Sequence, residues 1–229
     1  MKWYCLFANI FPLIVHIRAS KMYQVFVIKE GYQYSEVGGE ENASGTVTFV
    51  NGPHKIIVDT GNPWDKEDIV QGLAKHAVLP SDIDYVVCTH GHLDHVGNLN
   101  LFTNAIYIVS YDICIRNRYL MHDFKEGIPY EIDDYVEVIA TPGHTGEDVS
   151  VIVKNTPHGV VAITGDLFEC QEDLEKPHLW QQSSQKPESQ EQYRADILKI
   201  ADHIIPGHGP MFQVPESCKK QIQMVLLNE

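Results

Sequence analysis

The chain has 229 residues, of which 44% are hydrophobic and 21% charged, the composition of a globular protein with room for a large core. With 17 Lys and Arg against 31 Asp and Glu its formal charge is −14. Such a surface repels polyanions at long range, so nucleic-acid binding would need a local basic patch. Five cysteines (Cys5, Cys88, Cys114, Cys170 and Cys218) are odd in number and form no C-x-x-C pair, which argues against a disulfide framework or a zinc ribbon and for a reducing compartment.

The opening MKWYCLFANIFPLIVHIRAS has a Lys followed by an apolar run, but Pro12, His16 and Arg18 interrupt it. From Trp3 to Val15 it is too short to span a membrane, and the small-residue pattern before a cleavage site is poor, with Arg18 where a small residue would be wanted. Residues 1–22 therefore read as an N-terminal extension and 23–229 as one catalytic domain. Secretion and a membrane location are not expected. YQVFVIKE and GTVTFV are strand-like, rich in β-branched and aromatic residues. KIIVDTG is a buried strand running into a Gly turn. A helix over 65–77 follows, with Ile69, Leu73, Ala74 and Ala77 on one face. DYVVCTH is another buried strand, with Cys88 expected inside it. AIYIVS, YVEVIA, VSVIVK and VVAITGD are further strands. The polar stretch 169–192 has no periodicity and reads as a loop or lid. A helix over 188–201 shows Tyr193, Ile197, Ile200 and Ala201 at helical spacing, and a final helix is expected over 216–227. The alternation predicts a layered α/β sandwich.

The strand DYVVCTH delivers THGHLDHVGN, in which His90, His92, Asp94 and His95 form H-x-H-x-D-H. Imidazole and carboxylate together suit zinc or iron and not calcium or magnesium. His90 and His92 leave the strand pointing the same way, while Asp94 and His95 open the next helix and aim at a neighbouring position. Both pairs need distant partners. Candidates are His144 in ATPGHT, Asp166 ending VVAITGD, and His208 in IIPGHG, each at a strand end beside glycines that let the backbone bend. Taken singly they are ambiguous: His144 is an ordinary loop residue and Asp166 a helix cap. Together they suit a dinuclear site with room for water.

This order of motifs (H-x-H-x-D-H, PGH, GD, GH) resembles the metallo-β-lactamase superfamily over roughly residues 23 to 213. The resemblance implies a four-layer αβ/βα sandwich with two zinc ions per chain, iron or manganese being the alternatives. His90, His92 and His144 would hold one metal and Asp94, His95 and His208 the other, with Asp166 bridging. Asp59 would support the metal loop from behind the ligands. A metal-bridging hydroxide would be the nucleophile, and Asp94 would orient it and carry its proton. Asp166 stands where the lactamases with a Cys ligand carry that Cys, so they do not match. Asp166 and His208 are 42 positions apart, too close for the cap domain of the large RNA-processing nucleases.

The stretches VDTGNPWDKEDIVQGLA, CTHGHLDHVGNLNLF, ATPGHTGEDVSVIV, ITGDLFE and IIPGHGPMF are similar to a compact animal branch of that superfamily. That similarity implies an endoribonuclease acting at the 3′ end of histone pre-mRNA, in nucleus and cytosol, as a homodimer. Arg116, Arg118 and Lys125 are candidate phosphate contacts, and Trp180 and Tyr130 candidate stacking platforms for a base. The rival readings are a hydrolase of a small thioester, ester or lactam, an iron-dependent persulfide oxygenase, and a non-catalytic binding module. The complete ligand set speaks against the last.

Overall fold

The computed structural model describes residues 22–219, so the N-terminal extension and most of the final helix fall outside the described residues. In chain order the strands are β1 (Gln24–Lys29), β2 (Tyr32–Ser35), β3 (Glu41–Ser44), β4 (Val47–Asn51), β5 (Lys55–Val58), β6 (Tyr85–Cys88), β7 (Ile106–Val109) and β8 (Asp112–Ile115). They continue with β9 (Arg118–Leu120), β10 (Tyr130–Glu131), β11 (Val136–Ala140), β12 (Val149–Thr156), β13 (Gly159–Gly165), β14 (His203–Pro206) and β15 (Phe212–Gln213). The helices are α1 (Lys66–Ala74), α2 (Leu93–Val96), α3 (His178–Gln181) and α4 (Pro187–Ile200).

Two mixed sheets result. The first runs β1-β4-β5-β6-β7-β8-β9 and the second β10-β11-β12-β13-β14-β15, while β2 and β3 form a separate hairpin. Both sheets are buried on both faces at their centres, and side-chain alternation shows why. In β5, Ile56 and Val58 face the space between the sheets, where they meet Val151 and Val161 of the second sheet. Ile57, between them in sequence, points the other way and packs with Ile69 and Leu73 of α1. In β13, Val161 and Ile163 point inward, whereas Ala162 faces Ile197 of α4. Each fully buried Val or Ile contributes about 1.5–3 kcal/mol by leaving water. The layers are therefore helix, sheet, sheet, helix: the layered α/β sandwich that the strand and helix pattern predicted, with the four layers that the resemblance implied.

The expected helix over 65–77 stops at Ala74, and Ala77 takes a left-handed φ of 56°. The stretch 169–192 is more ordered than a loop. It holds a 3-10 turn (Gln171–Leu174), then α3, and α4 already begins at Pro187. Among the described residues no helix is long and apolar enough to cross a membrane. Cys88, Cys114, Cys170 and Cys218 are free.

Candidate metal centre

β5 and β6 are parallel neighbours, so Asp59 and Thr89 emerge side by side at the same edge of the first sheet. Asp59 adopts φ 59°, which turns its carboxylate under the next loop. Its Oδ1 accepts the Thr89 backbone N–H at 2.7 Å, and its Oδ2 lies 2.8 Å from His95 Nδ1. Asn98 pins the far end of the loop, donating to the carbonyls of Thr60 at 2.8 Å and Asn62 at 2.6 Å. A Cβ at Gly97 would collide with the Gly61 carbonyl, which explains the glycine in HVGN. Cys88 is buried behind the loop, its thiol 3.4 Å from the His95 carbonyl.

The second sheet supplies the other candidate ligands. Asp166 follows β13 and His208 follows β14, and those two strands are parallel. Gly207 passes so close that a Cβ there would overlap Asp166 Oδ1. His144 lies in the loop between β11 and β12, docked on the start of α4. The Lys186 N–H donates to the Gly143 carbonyl at 2.9 Å, and Ser189 Oγ to the Pro142 carbonyl at 2.8 Å. Gln190 of α4 lies against Gly143, and its amide donates to the Asp166 carbonyl at 2.9 Å.

All seven residues that the sequence singled out as ligands converge. His92 Nδ1 is 2.9 Å from His90 Nε2 and 3.0 Å from His144 Nε2. Asp166 Oδ2 is 3.5 Å from His90 Nε2 and 3.3 Å from His144 Nε2. A tetrahedral ion with bonds near 2.1 Å has ligand edges of about 3.4 Å, so these four donors suit one. On the other side, His95 Nε2 is 3.2 Å from Asp166 Oδ1 and 3.6 Å from Asp94 Oδ2. His208 Nε2 is 3.3 Å from Asp166 Oδ2 and 3.9 Å from Asp94 Oδ2. Asp94 Oδ2, His95 Nε2 and Asp166 Oδ1 are buried with no hydrogen-bond partner among the described residues. Buried polar atoms ordinarily find partners, so orphans converging on one point fit a site able to bind metal.

The electrostatics agree. Burial pushes the His90 imidazole well below its usual range, which favours the neutral form that ligates. Burial also works against charge on His95 and His208, but Asp166 overrides it in both. His95 is held well above its usual value, and His208 is raised to about 9. Burial disfavours a charged Asp166, yet His95 and His208 hold it well below the carboxylate range. The carboxylates thus demand positive charge at the two imidazoles, a demand that a divalent ion meets by displacing protons.

Glu169 was not foreseen. It is 3% exposed, and its carboxylate stands 3.7 Å from His144 Nδ1 and 3.6 Å from His208 Nε2. Burial and the nearby Asp166 push it up to about 8. Its place three residues after Asp166, in ITGDLFE, was the available signal.

Arg116, Arg118 and Trp180 are not brought to the metal ligands. β7 runs parallel to β6 and β8 runs back antiparallel, so the turn after Ile115 lies at the opposite end of the sheet from His90. Arg116 occupies that turn, and Arg118 begins β9 opposite Ile115. Trp180 is 3% exposed and packs under Arg194, whose guanidinium carbon is 4.9 Å from its ring centroid. Lys125 is exposed and paired with Glu147 at 3.0 Å, and Tyr130 is half-buried in β10.

Residues 42–128 match the family profile of the metallo-β-lactamase superfamily. With the fold and the ligand geometry in place, the chain belongs to that superfamily and is a metallo-hydrolase by class. More particularly, it is 48% identical over 202 residues to metallo-β-lactamase domain-containing protein 1 of Xenopus laevis, covering 87% of this chain and 84% of that one. Among solved structures it shares its fold with a metallo-β-lactamase-like protein of Thermotoga maritima (TM-score 0.65, 22% identity, 84% of this chain and 99% of that chain). It likewise shares its fold with an N-acyl homoserine lactone hydrolase solved with product at its catalytic metal centre (TM-score 0.59, 21% identity, 82% and 93%).

Proposed function

We propose that the protein is a dinuclear zinc-dependent hydrolase. The observation that carries this reading is the pair of donor groups sharing Asp166, whose Oδ2 lies within 3.5 Å of His90, His144 and His208 and whose Oδ1 lies 3.2 Å from His95. His90, His92 and His144 would hold one ion, Asp94, His95 and His208 the other, and Asp166 both. When bound, such a pair supplies hydroxide at neutral pH and polarises the bond to be cut. Asp59 keeps the His95 Nδ1 side occupied, so that Nε2 remains free to ligate. Asp94 is the ligand carboxylate most open to solvent, 16% exposed against 5% for Asp166, which suits it to take up and release the reaction's proton.

By its resemblance to the compact animal branch, the substrate is an RNA phosphodiester in histone pre-mRNA 3′-end processing, with a homodimer working in nucleus and cytosol. A second reading, a small ester, thioester or lactone, has its own support. The arginines stand at the far end of the sheet, and Leu93, between the ligands His92 and Asp94, is 59% exposed and offers an apolar contact at the site. One preparation, analysed for metal and assayed on a histone pre-mRNA stem-loop and on acyl-thioester and lactone panels, separates the readings. RNA cleavage lost in His92→Ala supports the first. Thioester or lactone turnover without RNA cleavage supports the second. RNA cleavage that survives His92→Ala sinks the metal-dependent nuclease.

A further inference from the structure

A histidine that ligates through one ring nitrogen carries a proton on the other, and that N–H is almost always held by an oxygen. His95 Nδ1 has Asp59, His90 Nδ1 has Thr89 Oγ1 at 3.1 Å, and His208 Nδ1 has the Ser44 carbonyl at 3.2 Å. His144 differs. Its Nε2 faces the ligand cluster, while its Nδ1 is buried without a hydrogen-bond partner among the described residues. The carboxylate facing that Nδ1 is Glu169, Oε1 at 3.7 Å.

Glu169 is itself fixed. Its N–H donates to Asp173 Oδ2 at 2.8 Å, its carbonyl accepts the His208 N–H at 2.8 Å, and its Oε1 accepts Ser183 Oγ at 2.5 Å. The remaining oxygen, Oε2, stands 3.6 Å from His208 Nε2. One anchored carboxylate therefore faces a ligand from each donor group.

We propose that Glu169 is a positioning residue of the metal centre: it takes the Nδ1–H of His144 and so fixes the ring of one group's ligand from a backbone hydrogen-bonded to that of His208, in the other group. The proposal rests on the dinuclear reading above. It assigns to this chain a ligand-orienting carboxylate on the second sheet, matching the role of Asp59 on the first.

The test uses the full-length protein, with zinc affinity measured by competition with a chromophoric chelator and the ring protons followed by NMR on ¹⁵N-histidine-labelled material. Glu169→Ala is expected to weaken zinc binding about 10–100-fold and to expose the His144 Nδ1–H to rapid exchange, with the Tm of the zinc-stripped protein unchanged. Glu169→Gln retains an acceptor oxygen and is expected to restore most of the affinity and the protected proton. Wild-type affinity in E169A overturns the proposal. So does an equal loss in E169Q and E169A, which would make Glu169 a direct ligand, or a parallel fall in the Tm of the stripped protein. If E169A does not fold, the zinc-loaded wild type decides: a slowly exchanging His144 Nδ1–H supports the proposal and a rapidly exchanging one overturns it. A wild-type chain that takes up no zinc overturns the dinuclear reading instead.

Discussion

Asp59 Oδ2 lies 2.8 Å from Nδ1 of His95, and both groups are almost completely buried. A carboxylate there can only accept, so it selects the His95 tautomer whose Nε2 lone pair points at Asp94 and Asp166. Asn tolerates the left-handed φ of this position, so Asp59→Asn leaves the backbone unstrained. Its amide can turn an N–H toward Nδ1 and favour the wrong tautomer. Zinc retention after dialysis against chelator is expected to fall about 10–100-fold. Unchanged retention would show that His95 is oriented by something other than Asp59.

Chelation tests the ligand set as a whole. A group of buried carboxylates and imidazoles that loses its cation leaves charge uncompensated, and a ligand present at a thousand times its Kd stabilises by about 4 kcal/mol. Stripping the metal is expected to abolish hydrolysis and lower Tm by roughly 8–16 °C at this chain length, reversed by zinc. His92→Ala removes a donor from one group and leaves the other intact, so its Tm loss on chelation should be smaller than that of the wild type. A Tm indifferent to chelator in the wild type contradicts the metal reading.

Arg194 ties the segment after Asp166 to α4. It donates to the Leu167 carbonyl at 2.7 Å, pairs with Asp173 Oδ1 at 2.6 Å, and lies 4.0 Å above the Phe168 ring centroid. Removing it leaves Asp173, 1% exposed, without its cation. Arg194→Ala should cost about 3–5 kcal/mol in urea unfolding. A loss below about 1 kcal/mol, the value of an exposed pair, would mean that the pair is solvated.

Tyr23 donates to Asp133 Oδ2 at 2.7 Å from a fully buried position, and burial followed by that hydrogen bond raises its phenol above the ordinary value of 10.0. A raised folded pKa stabilises the fold fully below the unfolded value and less as pH climbs past it. Tyr23→Phe should cost about 1 kcal/mol at neutral pH, and the gap to wild type should narrow above pH 10. Urea midpoints at pH 7 and in alkaline buffer read this directly. A gap that stays constant or widens with pH rules out the Tyr23–Asp133 contribution.

The candidate ligands were legible in the sequence because each is named by its own side-chain chemistry and sits where an apolar run ends. Asp166, ambiguous alone, is recognised by the strand before it, the glycine beside it and its company with His144, His208 and the H-x-H-x-D-H motif. Glu169 was not legible, because its role depends on how the turn after Asp166 folds back onto His208. Arg116 and Arg118 follow the metal loop closely along the chain, but sequence distance does not say which end of an antiparallel strand a residue occupies. Trp180 looked available in a polar stretch, and its burial is decided by an arginine from a later helix. The β2–β3 hairpin is mostly polar, and only Gly38-Gly39 marked its turn.

Gln190 holds no ligand, yet Gly143 rests on its backbone and the Asp166 carbonyl receives its amide. The separation of His144 from Asp166 is thus gauged by one helical residue, as a spacer sets the gap between two jaws. A change at Gln190 would leave every ligand in the sequence untouched and still spoil the fit of the ion between them. On the metal reading proposed above, loss of metal can accordingly arise from a helix that carries none of the candidate ligands.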